Sequence, residues 1–339
     1  MLFAALSPPR ARVVLDLAQR ARLSPLVARA ARISASHPDL GGEVAAIIRD
    51  AMTRDMVTQR TIDRIHCALS SAKLGHLFLK GACFRETLYA HSWTRTMGDI
   101  DILIHPHDVP QVVRSMLGAG FKRSPLSHKT LVSDFISREV SFVSPDRGPG
   151  LDIHFNLFND HAGFKVNPED LFQRSQTTPS GLPTMTWEDH LLHASIHLAR
   201  QSFHLPLRHV LDVHRLLSSR PVDMQAAVAR ARTWGCLRAL YFTLEASRFA
   251  FGTEGLDRDL QACQPGGLAA HVLRALLNPG DIAPRRRGPL SRLPATMLLM
   301  DRPLSRLGFF AQKAVFRPLD MTLWLLWPRR LFPRRTDVS

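Results

Sequence analysis

The feature that most constrains this chain is the run Gly98-Asp99-Ile100-Asp101-Ile102-Leu103-Ile104. A β-strand turns successive side chains to opposite faces. Asp99 and Asp101 therefore share one face, while Ile100 and Ile102 share the other and require burial. Two carboxylates side by side are costly unless a cation lies between them. The cation that suits oxygen donors and phosphates is Mg²⁺. A second run, Leu151-Asp152-Ile153-His154-Phe155-Asn156-Leu157, alternates in the same way. Its Asp152, His154 and Asn156 share a face. If the two strands are neighbours, Asp99, Asp101 and Asp152 converge. Three carboxylates can hold two divalent ions about 3.5–4 Å apart, the arrangement used for in-line phosphoryl displacement. The blander readings are that Asp99 and Asp101 cap a turn after Gly98, that Asp152 partners an arginine, and that His154 is a hydrogen-bonded sheet residue.

The residues around these strands set the order of elements. Residues 1–60 are rich in Ala and Arg and read as a helical region without chemistry. Leu15, Leu17, Leu23, Leu26 and Val27 give one apolar face there, and Glu43 to Met52 gives another. A further amphipathic stretch, Thr61 to Leu74, leads into a short strand from His76 to Leu79. Gly81 then starts a turn into a helix from Cys83 to about Ala90. A strand, turn and helix in that order suit anion binding, because free N–H groups at a helix start attract phosphate. After the Asp99 strand, Asp108 stands as a cap for a helix reaching about Leu117. Phe121–Pro125, Leu131–Ser137 and Glu139–Ser144 are strand candidates. The turn Pro145 to Gly150 delivers the chain to the Asp152 strand.

From Gly181 onward the pattern is helical. Thr186 is the expected N-cap of a helix reaching about Ser202, with Asp189 three residues later in an approximate capping box. Further helices are expected over Arg208–Leu217, Asp223–Thr233 and Leu237–Phe251. A Pro/Gly/Arg-rich linker follows Asn278 and leads to a basic, apolar tail. The expected organisation is a helical region (1–60), an α/β core (61–182), a helical domain (183–278) and a linker with a helical tail (279–339). The fold class is therefore α+β, a small mixed sheet flanked by helices and followed by a mostly helical domain. The Gly-x-Gly-x-x-Gly of a doubly wound dinucleotide-binding sheet is missing from the expected place.

These residues also carry a resemblance. Lys80-Gly81, Tyr89, Arg95, Asp99-Ile100-Asp101-Ile102-Leu103-Ile104 and Leu151-Asp152-Ile153-His154-Phe155 resemble, in that order, the uncharacterised nucleotidyltransferases of the polymerase-β superfamily. The likeness extends through Trp187-Glu188-Asp189-His190-Leu191-Leu192-His193, His197 and the stretch from Arg208 to Leu217 with Asp212. It implies a polymerase-β-like core and a metal-dependent transfer of a nucleotidyl group from a nucleoside triphosphate such as ATP. Asp99, Asp101 and Asp152 would be catalytic residues and metal ligands, with two Mg²⁺ ions. Lys80, Gly81, Arg95 and His154 would bind the nucleotide. The superfamily's phosphate loop usually reads Gly-Ser or Gly-Gly, whereas this chain has Gly81-Ala82 and lacks the hydroxyl. A non-catalytic partner protein on the same fold is the alternative reading.

Composition narrows the partners. The chain has 339 residues, with 44 Lys and Arg against 29 Asp and Glu, a net charge of +15. This suits an anionic partner such as a nucleotide, or reflects an Arg-rich coding bias. No RNA-binding aromatic signature is present, so nucleic acid is not an expected partner. Cys67, Cys83, Cys236 and Cys263 form no Cys-x-x-Cys pair. With no disulfide framework, secretory leader or membrane-length apolar run, the expected location is the cytoplasm. His190, His193 and His197 fall on one helical face; with His204, His209 or His214 they read as a zinc site, or as the rim of the nucleotide cleft. Asp212 is a candidate to fix the tautomer of one of them. In the tail, Trp324, Trp327 and Phe332 interleave with Arg329, Arg330, Arg334 and Arg335, a pattern suited to peripheral contact with an anionic membrane. The acceptor, a small molecule or a protein, has no signature in the sequence.

Overall fold

The computed structural model describes residues 6–34, 38–124, 138–158, 163–201, 203, 206–266, 271, 297–302 and 306. Helices α1 (Pro8–Arg20), α2 (Ser24–Ser34) and α3 (Gly41–Ser71) lead into β1 (His76–Phe78) and α4 (Lys80–Thr87). Strand β2 (Asp99–Ile104), α5 (Val109–Gly118), β3 (Lys122–Arg123), β4 (Glu139–Val143) and β5 (Gly150–His154) follow. Then come α6 (Pro168–Gln173), β6 (Gln176–Thr177), β7 (Pro183–Thr184) and the helices α7 (Trp187–Arg200), α8 (Arg208–Ser219), α9 (Met224–Trp234), α10 (Leu237–Phe251) and α11 (Asp257–Cys263). The fold is α+β, as expected.

The strands form one seven-stranded mixed sheet in the order β3-β4-β5-β2-β1-β7-β6. At its centre β2 runs parallel to β5 and antiparallel to β1. Strand alternation divides the core between the two faces. On one face Ile100, Ile102, Leu151, Ile153, Val140 and Phe142 pack against Ile62, Ile65 and Leu69 of α3 and Val112 and Met116 of α5. On the other, Leu77 and Leu103 join a larger cluster built on α7, α8, α9 and α10. The polar residues that alternate with the first set therefore look toward the helical layer. A third, smaller cluster joins α1 and α2 to the start of α3.

Several sequence expectations change in the structure. The stretch Glu43–Met52 and residues Thr61–Ser71 of the second stretch belong to one uninterrupted helix of 31 residues, which runs through position 60 and ends before Leu74. No Gly or Pro interrupts residues 43–71, so nothing breaks the hydrogen-bond ladder. Leu17 is 53% exposed, because α1 buries Ala11, Leu15 and Ala18 instead. The helix expected from Cys83 begins at Lys80 and ends at Thr87. Asp108 occupies the N-cap position of α5 without a side-chain capping bond. Strand β5 stops at His154, so Asn156 lies beyond it. Thr186 does cap α7, accepting from the Asp189 N–H at 3.4 Å. The Asp189 carboxylate does not return the bond and pairs with Arg174 and Arg230. The strand candidate at Leu131–Ser137, His204, and nearly all of the linker and tail lie outside the described residues. Among the described residues, no helix is long and apolar enough to cross a membrane.

Candidate active site

The central register brings the carboxylates together. Asp101 is the Cα partner of Asp152 across the parallel β2–β5 pair, and Asp99 is the partner of Gly150. One oxygen of each of Asp99, Asp101 and Asp152 lies within 4.8 Å of the others. Among the described residues this is the group of His, Cys, Asp and Glu able to hold a metal ion. All its donors are carboxylate oxygens, the chemistry that a hard divalent cation such as Mg²⁺ takes. The residues present therefore fit the expected ion.

The three carboxylates differ electrostatically. Loss of surrounding water, then the charge of Asp101, pushes Asp99 above the usual carboxylate range. Burial acts the same way on Asp101, but the His154 hydrogen bond and the Lys80 charge outweigh it and hold Asp101 well below that range. His154 donates from Nε2 to Asp101 Oδ1 at 3.0 Å. Asp152 is pushed up by burial and by Glu139 and Asp101, against the effect of the neighbouring Ser141 hydroxyl, which donates to Glu139 Oε1 at 3.2 Å. Ser141 stands opposite Asp152 in the β4–β5 register, and Glu139 opposite His154. Glu139 Oε2 lies 3.9 Å from His154 Nδ1. His154 thus sits between two carboxylates, and its hydrogen bond raises its pKa against the opposing effect of burial.

Lys80 closes the other side. It opens α4 with φ +31°, in the left-handed region that a non-glycine residue rarely adopts. Backbone strain of this kind clusters at functional sites. Lys80 Nζ donates to His197 Nδ1 at 3.1 Å, reaching across to α7. Burial lowers the Lys80 pKa, while Asp101 and then Asp99 oppose the shift, so its ammonium lies in the field of both carboxylates. Gly81 packs closely: a Cβ there would come within 3.2 Å of the Met97 side chain, which would have to shift by a few tenths of an ångström.

Arg95 is placed differently from a phosphate-facing group. It is 4% exposed and clasps Asp212 of α8, with Nε to Oδ1 at 2.8 Å and Nη2 to Oδ2 at 2.7 Å. Its Nη1 donates to the Thr96 carbonyl, which also receives Arg208. Tyr89 donates to the same aspartate at 2.7 Å. Asp212 is thus occupied by Arg95 and Tyr89 and makes no bond to His193 or His197. Arg95 still acts on Asp99 through its charge. Its visible work is to join the loop ahead of β2 to the helical layer.

The histidine face of α7 divides. His190 is buried on Thr184, His193 is buried with its Nδ1 unpartnered, and His197 meets Lys80. No zinc-type cluster of these histidines forms among the described residues. Sequence reading did not single out Glu139, Ser141 or Arg200. For the first two a signal existed, the alternation Glu139-Val140-Ser141-Phe142, but the register that sets them beside His154 and Asp152 does not follow from a single strand.

None of the curated proteins compared with the chain matches it. A family model described as uncharacterised nucleotidyltransferase matches residues 7–252, from α1 through the site to the end of α10. The chain therefore belongs to the uncharacterised nucleotidyltransferase family.

Proposed function

We propose that the protein transfers a nucleotidyl group from a nucleoside triphosphate to a hydroxyl or phosphate of an acceptor. The observation that carries this reading is the meeting of Asp99, Asp101 and Asp152 on one sheet face, beside Lys80 at the start of α4. Bound to these carboxylates, two Mg²⁺ ions would activate the acceptor oxygen and neutralise charge at the reacting phosphorus. The chain's own residues then have separable tasks. Asp152, on the strand beside Asp101, orients the acceptor hydroxyl and receives its proton. The acceptor oxygen forms its bond to the α-phosphorus as the α–β phosphoanhydride bond breaks, and pyrophosphate leaves with the electron pair. His154 fixes the Asp101 carboxylate through its 3.0 Å hydrogen bond. Lys80 supplies positive charge toward the phosphates. The N–H groups after Gly81 open α4, where helix geometry favours an anion. Arg95 positions the strand entry through Asp212.

A second reading, a non-catalytic binding protein on the same fold, is favoured by Ala82. This residue is 1% exposed and brings no hydroxyl to the phosphate loop. One assay separates the two. Pyrophosphate release is followed with Mg²⁺, mixed nucleoside triphosphates and a pool of candidate acceptors. Release by the wild type and its loss in Asp101→Asn support transfer. Equal release by both proteins would remove the aspartates from the chemistry. Triphosphate binding without release would favour the binding protein.

A further inference from the structure

Helix α7 carries His193, His197 and Arg200 at i, i+4 and i+7, so all three project on one side. Phe158, just past β5, is a shared shelf for His193 and Arg200. The Arg200 guanidinium lies 5.8 Å from the Phe158 ring centre, and the His193 ring meets the same ring at 5.6 Å. Arg200 also acts electrostatically on both Lys80 and His197, which places the two cations in one field. Among the described residues no carboxylate comes within ion-pair distance of Arg200. The guanidinium has five N–H donors, and a stacked ring satisfies none of them. Lys80 has three donors, one of which goes to His197. His193 is 4% exposed, and its buried Nδ1 has no partner. Burial strips water from the Arg200 guanidinium and the Glu139 charge offsets part of that cost; acceptors on a bound ligand would offset the rest. The acceptor needed here is multiply charged, because it must answer an ammonium and a guanidinium together.

We propose that Arg200 and Lys80, with His197 holding Lys80 in place, form a subsite for the two terminal phosphates of the nucleoside triphosphate, the part that leaves as pyrophosphate. This rests on the nucleotidyl-transfer reading above. The fork of Arg200 matches a phosphate through paired N–H bonds, and Lys80 adds a point charge. Lys80 feels Asp99 and Asp101 as well as Arg200, so a chain of phosphates would run from the metal ligands past Lys80 toward α7. His197 accepts from the ammonium at Nδ1 and is a positioning residue; Arg200 is the group that touches ligand.

The test is calorimetric titration of the full chain with inorganic triphosphate, pyrophosphate and a nucleoside monophosphate, each with and without Mg²⁺. Wild type, Arg200→Gln, Arg200→Lys and Asp101→Asn are compared, with circular dichroism confirming that each is folded. Arg200→Gln is expected to weaken triphosphate and pyrophosphate by about tenfold or more, the loss expected for a charge-assisted pair. It should leave the monophosphate unchanged, and Arg200→Lys should recover part of the loss. A merely structural Arg200 would lower all three ligands together, and that result would overturn the subsite. Unchanged triphosphate and pyrophosphate binding in Arg200→Gln, with Mg²⁺-dependent binding lost in Asp101→Asn, would overturn the subsite and leave the transfer reading standing. Arg200-dependent pyrophosphate binding in a wild type that shows no Mg²⁺-dependent triphosphate binding would keep the anion site and overturn the transfer reading. A wild type that binds neither ligand would overturn both.

Discussion

Asp99 and Asp101 stand two residues apart on one strand, yet their surroundings give them different stability roles. Asp101 is compensated by His154 and Lys80, whereas Asp99 faces the charge of Asp101. Asp99→Asn is therefore expected to leave the fold unchanged or slightly more stable, and Asp101→Asn to destabilise it. On the proposed reading both should reduce nucleotidyl transfer by on the order of 10² or more, since each would remove a metal ligand. Chemical unfolding beside the pyrophosphate assay checks this pair of signs. The Arg95–Asp212 clasp makes a second residue-scale prediction. Removing one partner of a buried pair strands the other charge, so Arg95→Met or Asp212→Asn should each cost about 3–5 kcal/mol. A double variant, Arg95→Met with Asp212→Leu, should cost less than the sum, as read from urea midpoints. The carboxylate triad was legible because period-two alternation fixes which side chains share a face. The fate of Arg95 was not, because its partner lies 117 residues further along the chain. A salt bridge of that separation leaves no local pattern.

The junction of β1, β7 and α7 shows how an element is pinned. The Thr184 hydroxyl donates to the Phe78 carbonyl at 2.8 Å. It must therefore accept from His190 Nε2, also at 2.8 Å, which leaves His190 Nδ1 buried without a partner. The fold excludes a second proton from this ring, and burial pushes its pKa down from 6.5 to about 3. The unfolded chain takes up that proton below about pH 6.5. The stability contributed by the neutral ring is thus complete above that pH and is lost as the pH falls toward 3. At pH 5 the loss is on the order of 2 kcal/mol for this one group. His190→Gln should flatten part of the decline in urea stability between pH 7 and 5, while His209, also held near 3, keeps part of it. An N-cap gives a smaller effect: Asp223 accepts from the Ala226 N–H at 3.0 Å, and Asp223→Ala should cost about 1 kcal/mol in the same measurement. Helices α7 to α10 were legible from caps and apolar spacing. The continuity of α3 was less so, because Asp55 and Thr58 interrupt its apolar face between Val44, Ile48 and Ala51, near α1 and α2, and Ile62, Ile65 and Leu69, under the sheet.

Across the whole molecule the sheet is a partition between two cores. The layer of α3 and α5 holds the apolar side of β2 and β5, and the layer of α7 to α10 covers the side that carries the carboxylates. The site therefore lies between the sheet and the helices, and neither part completes it alone. A fragment of residues 61–182 would leave Leu77, Leu79 and Leu103 without their covering helices. It is expected to lack a cooperative unfolding transition by circular dichroism, whereas a chain of residues 7–252 should keep one. On the proposed reading, Asp99, Asp101 and Asp152 bind divalent metal against the phosphates of a nucleotide. The most direct measurement is a crystal structure of the full chain with Mn²⁺ and a non-hydrolysable nucleoside triphosphate. Anomalous Mn²⁺ density is expected within ligand distance of all three carboxylates, with the α-phosphate against it and the terminal phosphates toward Lys80 and α7. Nucleotide bound elsewhere, or Mn²⁺ absent from the three aspartates at saturating concentration, would contradict it.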